Sequence, residues 1–134
     1  GQACRASGDR ETARLALKTA LRLDPGAEIY AALGEMLLDE GAGQEAATCF
    51  AEAVRLLPGR ADFHNGLGAA QRLAAQSGLA VRSFREALRL EPDLSPARLN
   101  LGDCHLERGE PAEAAECFAE GLRRQPDSAA FTER

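Results

Sequence analysis

Aromatic residues are scarce in this chain: there is no tryptophan, one tyrosine and five phenylalanines among 134 residues. Sheet proteins lean on aromatic and β-branched side chains, whereas here alanine and leucine supply the apolar mass, which favours close-packed helices. Histidine is limited to His64 and His105. The four cysteines, Cys4, Cys49, Cys104 and Cys117, include no C-x-x-C pair and lie far apart. That excludes the ligand spacing of a zinc ribbon and the density of a disulfide-held secreted scaffold. No apolar run approaches the ~20 residues of a membrane span, and no signal-peptide pattern opens the chain, so a reducing, cytoplasmic setting is expected. Basic residues are in deficit as well, 16 Lys and Arg against 21 Asp and Glu, for a net charge of −5. A nucleic-acid binder needs the reverse, a basic face that neutralises phosphates.

Repetition is what the chain has in abundance. Residues 46–60 read AATCFAEAVRLLPGR, residues 80–94 AVRSFREALRLEPDL and residues 114–128 AAECFAEGLRRQPDS, with a looser copy, ARLALKTALRLDPGA, at 13–27. The prolines Pro25, Pro58, Pro92 and Pro126 step by 33, 34 and 34 residues. Phe50, Phe84 and Phe118 step by 34, as do the pairs Leu33-Gly34, Leu67-Gly68 and Leu101-Gly102. Three independent markers with one period define a repeat array.

Each unit reads as two helices. In the first full unit they are expected over about 28–40 and 44–57, separated by Gly41 and Gly43 and closed by Pro58-Gly59. Ser95-Pro96 reads as an N-cap followed by proline at the first helical position, and Gly109-Glu110-Pro111 as a turn. The unit at 61–94 lacks a glycine at its turn, since Gly78 comes three residues late. Its first helix is therefore expected to run a turn longer or to end differently. Glycine inside a helix costs roughly 1 kcal/mol relative to alanine. The recurrence of Gly34, Gly68 and Gly102 thus points to close approach, to Ala46, Ala80 and Ala114 of the second helix. One such pair cannot bury its apolar face alone, and stacking supplies the core.

This pattern resembles the tetratricopeptide repeat. The residues that carry the resemblance are Leu33, Gly34, Leu37, Ala46, Phe50, Ala53 and Pro58, then Leu67, Gly68, Ala80, Phe84, Ala87 and Pro92, then Leu101, Gly102, Ala114, Phe118 and Pro126. It implies an all-α fold, an α-solenoid of antiparallel helix pairs wound into a right-handed superhelix. Residues 1–26 would be a partial repeat, 27–60, 61–94 and 95–128 full repeats, and 129–134 the start of a further helix, together a piece of a longer array. There are departures from the family pattern. Its large aromatic midway along the first helix is replaced by Leu37, Gln71 and His105, and Gly121 stands where alanine is expected. The richness in alanine, glycine, leucine and arginine fits a bacterial source.

The resemblance also implies a function, the binding of a protein or peptide in a concave groove lined by the first helix of each repeat, without catalysis, metal or cofactor. The groove positions map onto Glu28, Ala31, Glu35, Leu38 and Asp39, then Asp62, Asn65, Ala69, Arg72 and Leu73, then Pro96, Leu99, Asp103, Leu106 and Glu107. Six carboxylates and one arginine, with a stripe of Leu38, Leu73, Leu99 and Leu106, suit a partner segment that carries lysine or arginine beside apolar anchors. Some family members clamp a chaperone's terminal carboxylate with basic and amide residues. The comparable positions here are Ala31, Glu35, Gly66 and Pro96, so that clamp is missing. Others hold peptide backbone with an asparagine ladder, of which Asn100 is the one matching rung, with Ala32 and Gly66 as its counterparts and Asn65 one residue off.

Two other readings stay open: self-association through terminal helices, and a substrate-presenting domain attached to an enzyme. An RNA-binding helical array is disfavoured by the 34-residue period and the acidic composition. Asp103-Cys104-His105 looks like ligand chemistry, but consecutive helical residues point about 100° apart and do not converge on one metal. His105 is expected in the core. No nucleophile–base pair has an orienting third group. Cys49 and Cys117 hold the same repeat position two units apart, beyond disulfide reach.

Overall fold

The computed structural model describes residues 26–124, together with residues 12, 15, 16, 18 and 19, which are helical. The partial repeat expected over 1–26 and the helix start at 129–134 fall almost wholly outside these residues. Within residues 26–124 six helices follow one another: α1 (Ala27–Asp39), α2 (Gly43–Leu56), α3 (Ala61–Leu73), α4 (Ser77–Leu90), α5 (Ser95–Glu107) and α6 (Pro111–Arg124). The described residues contain no strand. The helices of the first full unit start and stop one residue earlier than their expected bounds, within the ordinary uncertainty of helix ends. α5 likewise includes Ser95, so its N-cap is Leu94 rather than the serine.

Each helix packs on its neighbours in chain order. The odd helices also touch one another, α1 against α3 and α3 against α5, while the even helices make no comparable contact. The stack therefore curves with α1, α3 and α5 on its inner side.

Phenylalanine fills the junctions between repeats. Phe50 is 1% exposed, with its ring between Gly34 of its own repeat and Gly66 of the next; a Cβ at Gly34 would come within 2.8 Å of the ring, and one at Gly66 closer still. Phe84 lies against Gly68 and Phe118 against Gly102, each the glycine of its own helix pair. The recurring glycines are thus slots for a ring that buries roughly 150–250 Å². The glycines face these rings rather than the expected Ala46, Ala80 and Ala114, which are buried in the same clusters as the rings. Where the family aromatic is missing, polar groups are satisfied instead. Ser83 Oγ donates to Gln71 Oε1 at 2.7 Å. His105 is buried, with Nδ1 3.0 Å from Glu110 Oε1.

The first helix of every pair ends in the same way. The amide of Ala42 donates to Leu37 O and that of Gly41 to Leu38 O; Gln76 and Ala75 repeat this with Gln71 and Arg72, and Glu110 and Gly109 with His105 and Leu106. This is a Schellman closure, which places one residue in the left-handed region. Gly41 has φ +80° and Gly109 φ +74°, and in the middle repeat Ala75 takes the position with φ +63°. α3 therefore does not run a turn longer. The missing glycine leaves the turn unchanged and puts a β-carbon in a strained conformation.

Candidate functional site

The inner face carries polar and leucine residues of α1, α3 and α5, several of them paired between successive repeats. Its N-terminal end is organised by Arg60, in the turn before α3. Arg60 Nε and Nη2 donate to Asp62 Oδ1 and Oδ2 at 3.0 and 2.8 Å, and Nη1 donates to Glu28 Oε1 at 3.1 Å. Its guanidinium also lies 4.3 Å from the centre of the Phe63 ring. Asp62 first, then Glu28, holds this guanidinium more firmly charged than usual. Two of the six carboxylates expected in the groove are therefore tied to one cation.

Midway along the face, Asn100 Nδ2 donates to Asn65 Oδ1 at 3.1 Å. The sequence placed these two amides one position out of register, and the structure joins them. Further along, Arg72 reaches from α3 to α5, where its Nε and Nη2 both donate to Glu107 Oε1, at 2.8 and 2.5 Å. Glu107 is the main reason the Arg72 guanidinium is held charged, with a smaller contribution from Asp103. A cavity of about 410 Å³ opens here, lined by Ala69, Arg72, Leu73 and Glu107.

The leucine stripe divides. Leu73 and Leu106 are each 50% exposed. Leu38 is half-buried against the α1–α2 core, and Leu99 packs against the cluster of Ala114 and Phe118. Glu35 and Asp39 are exposed and form no salt bridge with another described residue, and Asp103 is half-buried. Among the described residues, the positions expected on this face carry six carboxylates, against the guanidiniums of Arg72 and, from the turn, Arg60. Arg60 was missed by the sequence reading because it sits in a turn, outside the helical groove positions. Its signal was the Arg-x-Asp spacing ahead of a helix.

Burial raises the thiol pKa values of Cys49, Cys104 and Cys117 above the ordinary range. Among the described residues no group of three His, Cys, Asp or Glu side chains is placed to hold a metal, and no helix is long and apolar enough to cross a membrane. A second hollow, of about 470 Å³, lies between α4, α5 and α6, where Arg85 and Arg98 face Glu113, Glu116 and Cys117.

Stacked antiparallel helix pairs with a polar inner face define a helical-repeat scaffold. Family comparison makes this specific: tetratricopeptide repeat models match residues 1–61 and 74–132, and the chain belongs to the tetratricopeptide repeat family. Among solved structures, MamA is similar at 26% identity and a TM-score of 0.83, over 91% of this chain and 72% of that one. YrrB, described as a TPR protein with an unusual peptide-binding site, is similar at 18% identity and a TM-score of 0.86, over 96% and 66%. The first TPR of RPAP3, bound to the HSP90 peptide SRMEEVD, is similar at 16% identity and a TM-score of 0.75, over 81% and 86%. At such identities the last two show a shared fold. No curated protein matches the chain.

Proposed function

We propose that this chain is a protein-interaction scaffold whose inner face, formed by α1, α3 and α5, docks a partner segment carrying lysine or arginine beside apolar side chains. The observation that carries this reading is the excess of six carboxylates over two guanidiniums among the described residues of that face, beside the half-exposed Leu73 and Leu106. Opposite charge steers a basic segment to the groove, and buried leucine contacts retain it. The peptide held by RPAP3 carries three acidic residues and one arginine, and a face of this sign disfavours a ligand of net negative charge. The groove positions of that family clamp are also occupied here by Ala31, Glu35, Gly66 and Pro96.

The test is affinity capture from source-cell lysate by the wild type and by a Glu35→Lys/Asp39→Lys variant. These two carboxylates are chosen because they are exposed and form no salt bridge with another described residue, so charge reversal leaves the stack intact. A partner lost by the variant supports inner-face docking. A partner retained equally by both proteins, with an unchanged salt dependence, moves binding to another surface, and recovery of the bait alone favours self-association.

A further inference from the structure

We infer that Arg72 is a built-in plug of this groove: its guanidinium occupies the carboxylate that a partner's cation would take, and binding exchanges one cation for the other. The inference rests on the inner-face reading above and adds the device that sets its affinity and selectivity.

The geometry of the two groove arginines differs. Arg60 matches both oxygens of Asp62, adds Glu28 and stacks on Phe63. It is held on several sides. Arg72 places two donors on a single oxygen, Glu107 Oε1. A guanidinium fork frequently takes both oxygens of a carboxylate. Here Glu107 Oε2 receives no donor from Arg72, and a second cation has a place to enter. The pair is also wet, with the Arg72 and Glu107 side chains 30% and 49% exposed, so exchanging it for a similar pair is nearly even.

Two further features point to what enters. Asp103 lies one turn before Glu107 on α5 and adds its negative charge to the field at Arg72. The adjoining cavity is lined by Ala69 and Leu73 as well as by the ion pair, and Leu106 stands half-exposed on α5. A side chain with a cationic head and an apolar neighbour meets both requirements at once. A neutral or acidic segment leaves Arg72 on Glu107 and gains only the leucine contact. Arg72 thereby selects for cationic partners while lowering the affinity for all of them.

The experiment is an NMR titration of the full 134-residue chain with N-acetyl-Leu-Arg-Leu-amide, and with the peptide in which glutamate replaces arginine. Amide shifts report location, and the Arg72 Nε–H resonance reports release from Glu107. The arginine peptide is expected to shift amides over 69–73 and 103–107 and to move the Arg72 Nε–H signal towards its solvent position, and the glutamate peptide is not. Arg72→Met, which keeps an apolar stem, tightens binding by roughly two- to fivefold, the value of one exposed ion pair. Glu107→Gln weakens binding, and in the double variant the Arg72→Met gain disappears. Should Arg72→Met not fold, as judged by circular dichroism, Arg72→Gln replaces it. If the peptide maps to the inner face but loss of Arg72 leaves affinity unchanged or lower, the plug is refuted and the groove stands; if both peptides bind equally, the preference for a cationic partner falls together with the plug. Shifts confined to α2, α4 and α6, or none in any variant, overturn the groove reading and the plug with it.

Discussion

Replacing Ala75 by glycine is expected to stabilise the protein. Three helix ends 34 residues apart use one closure, with the left-handed residue at Gly41, Ala75 and Gly109. An L-residue in this region costs roughly 1–2 kcal/mol. Glycine removes that cost but brings a larger unfolded-state entropy, about 0.4–1 kcal/mol. The Ala75 side chain is exposed, so losing its methyl group forfeits no packing. The net gain is about 0.5–1 kcal/mol, or some 2–4 °C in Tm for a chain of this size. The reciprocal changes, Gly41→Ala and Gly109→Ala, meet nothing within 4 Å and isolate the backbone term, costing about 1 kcal/mol each. Urea unfolding followed by far-ultraviolet circular dichroism measures all three. If Ala75→Gly destabilises the chain while both glycines tolerate alanine, the residue is not left-handed in solution and the shared-closure argument fails.

Gly43→Ala should cost about 1–3 kcal/mol by overpacking, because its Cβ would lie 2.8 Å from the Ala74 backbone nitrogen and 3.0 Å from the Ala70 carbonyl oxygen, neither of which swings aside. Gly59→Ala, with nothing within 4 Å, is the neutral control in the same urea series. Glu110 accepts from His105 and Arg108, in that order of effect, which holds its carboxyl below the ordinary range. A depressed folded pKa stabilises fully above the unfolded value near ~4.3 and is lost as pH falls through the folded value. Glu110→Gln should therefore be less stable than the wild type at pH 7, with the two stability curves converging in acid. Burial raises the thiols of Cys49, Cys104 and Cys117; mass spectrometry should find them slow to alkylate with iodoacetamide at neutral pH and fast in urea, and rapid native labelling of the buried Cys104 would contradict its place in the core.

The architecture was legible because its markers repeat. Proline ends, phenylalanine knobs and Leu-Gly pairs share one period, and each has a single physical use in the stack. The missing glycine at the α3 turn misled because a Schellman closure is fixed by backbone hydrogen bonds on both sides of the left-handed residue, and these hold an alanine there when the flanking helices require it. The inner face was less legible for a geometric reason. Its cross-repeat partners, Asn65 with Asn100 and Arg72 with Glu107, are 35 residues apart, one more than the period, so an alignment in steps of 34 sets them out of register. Arg60 escaped because a turn residue has no helical face. The leucine stripe divided because Leu38 and Leu99 serve the core while Leu73 and Leu106 stay half-exposed, a difference that identical residue types do not disclose.

The most direct measurement is amide hydrogen exchange of the chain with and without its captured partner. Protection along the inner residues of α1, α3 and α5, centred on 35–39, 69–73 and 103–107 and weakened by Glu35→Lys/Asp39→Lys, is the expected result. Protection confined to α2, α4 and α6, insensitive to that charge reversal, would contradict docking on the inner face.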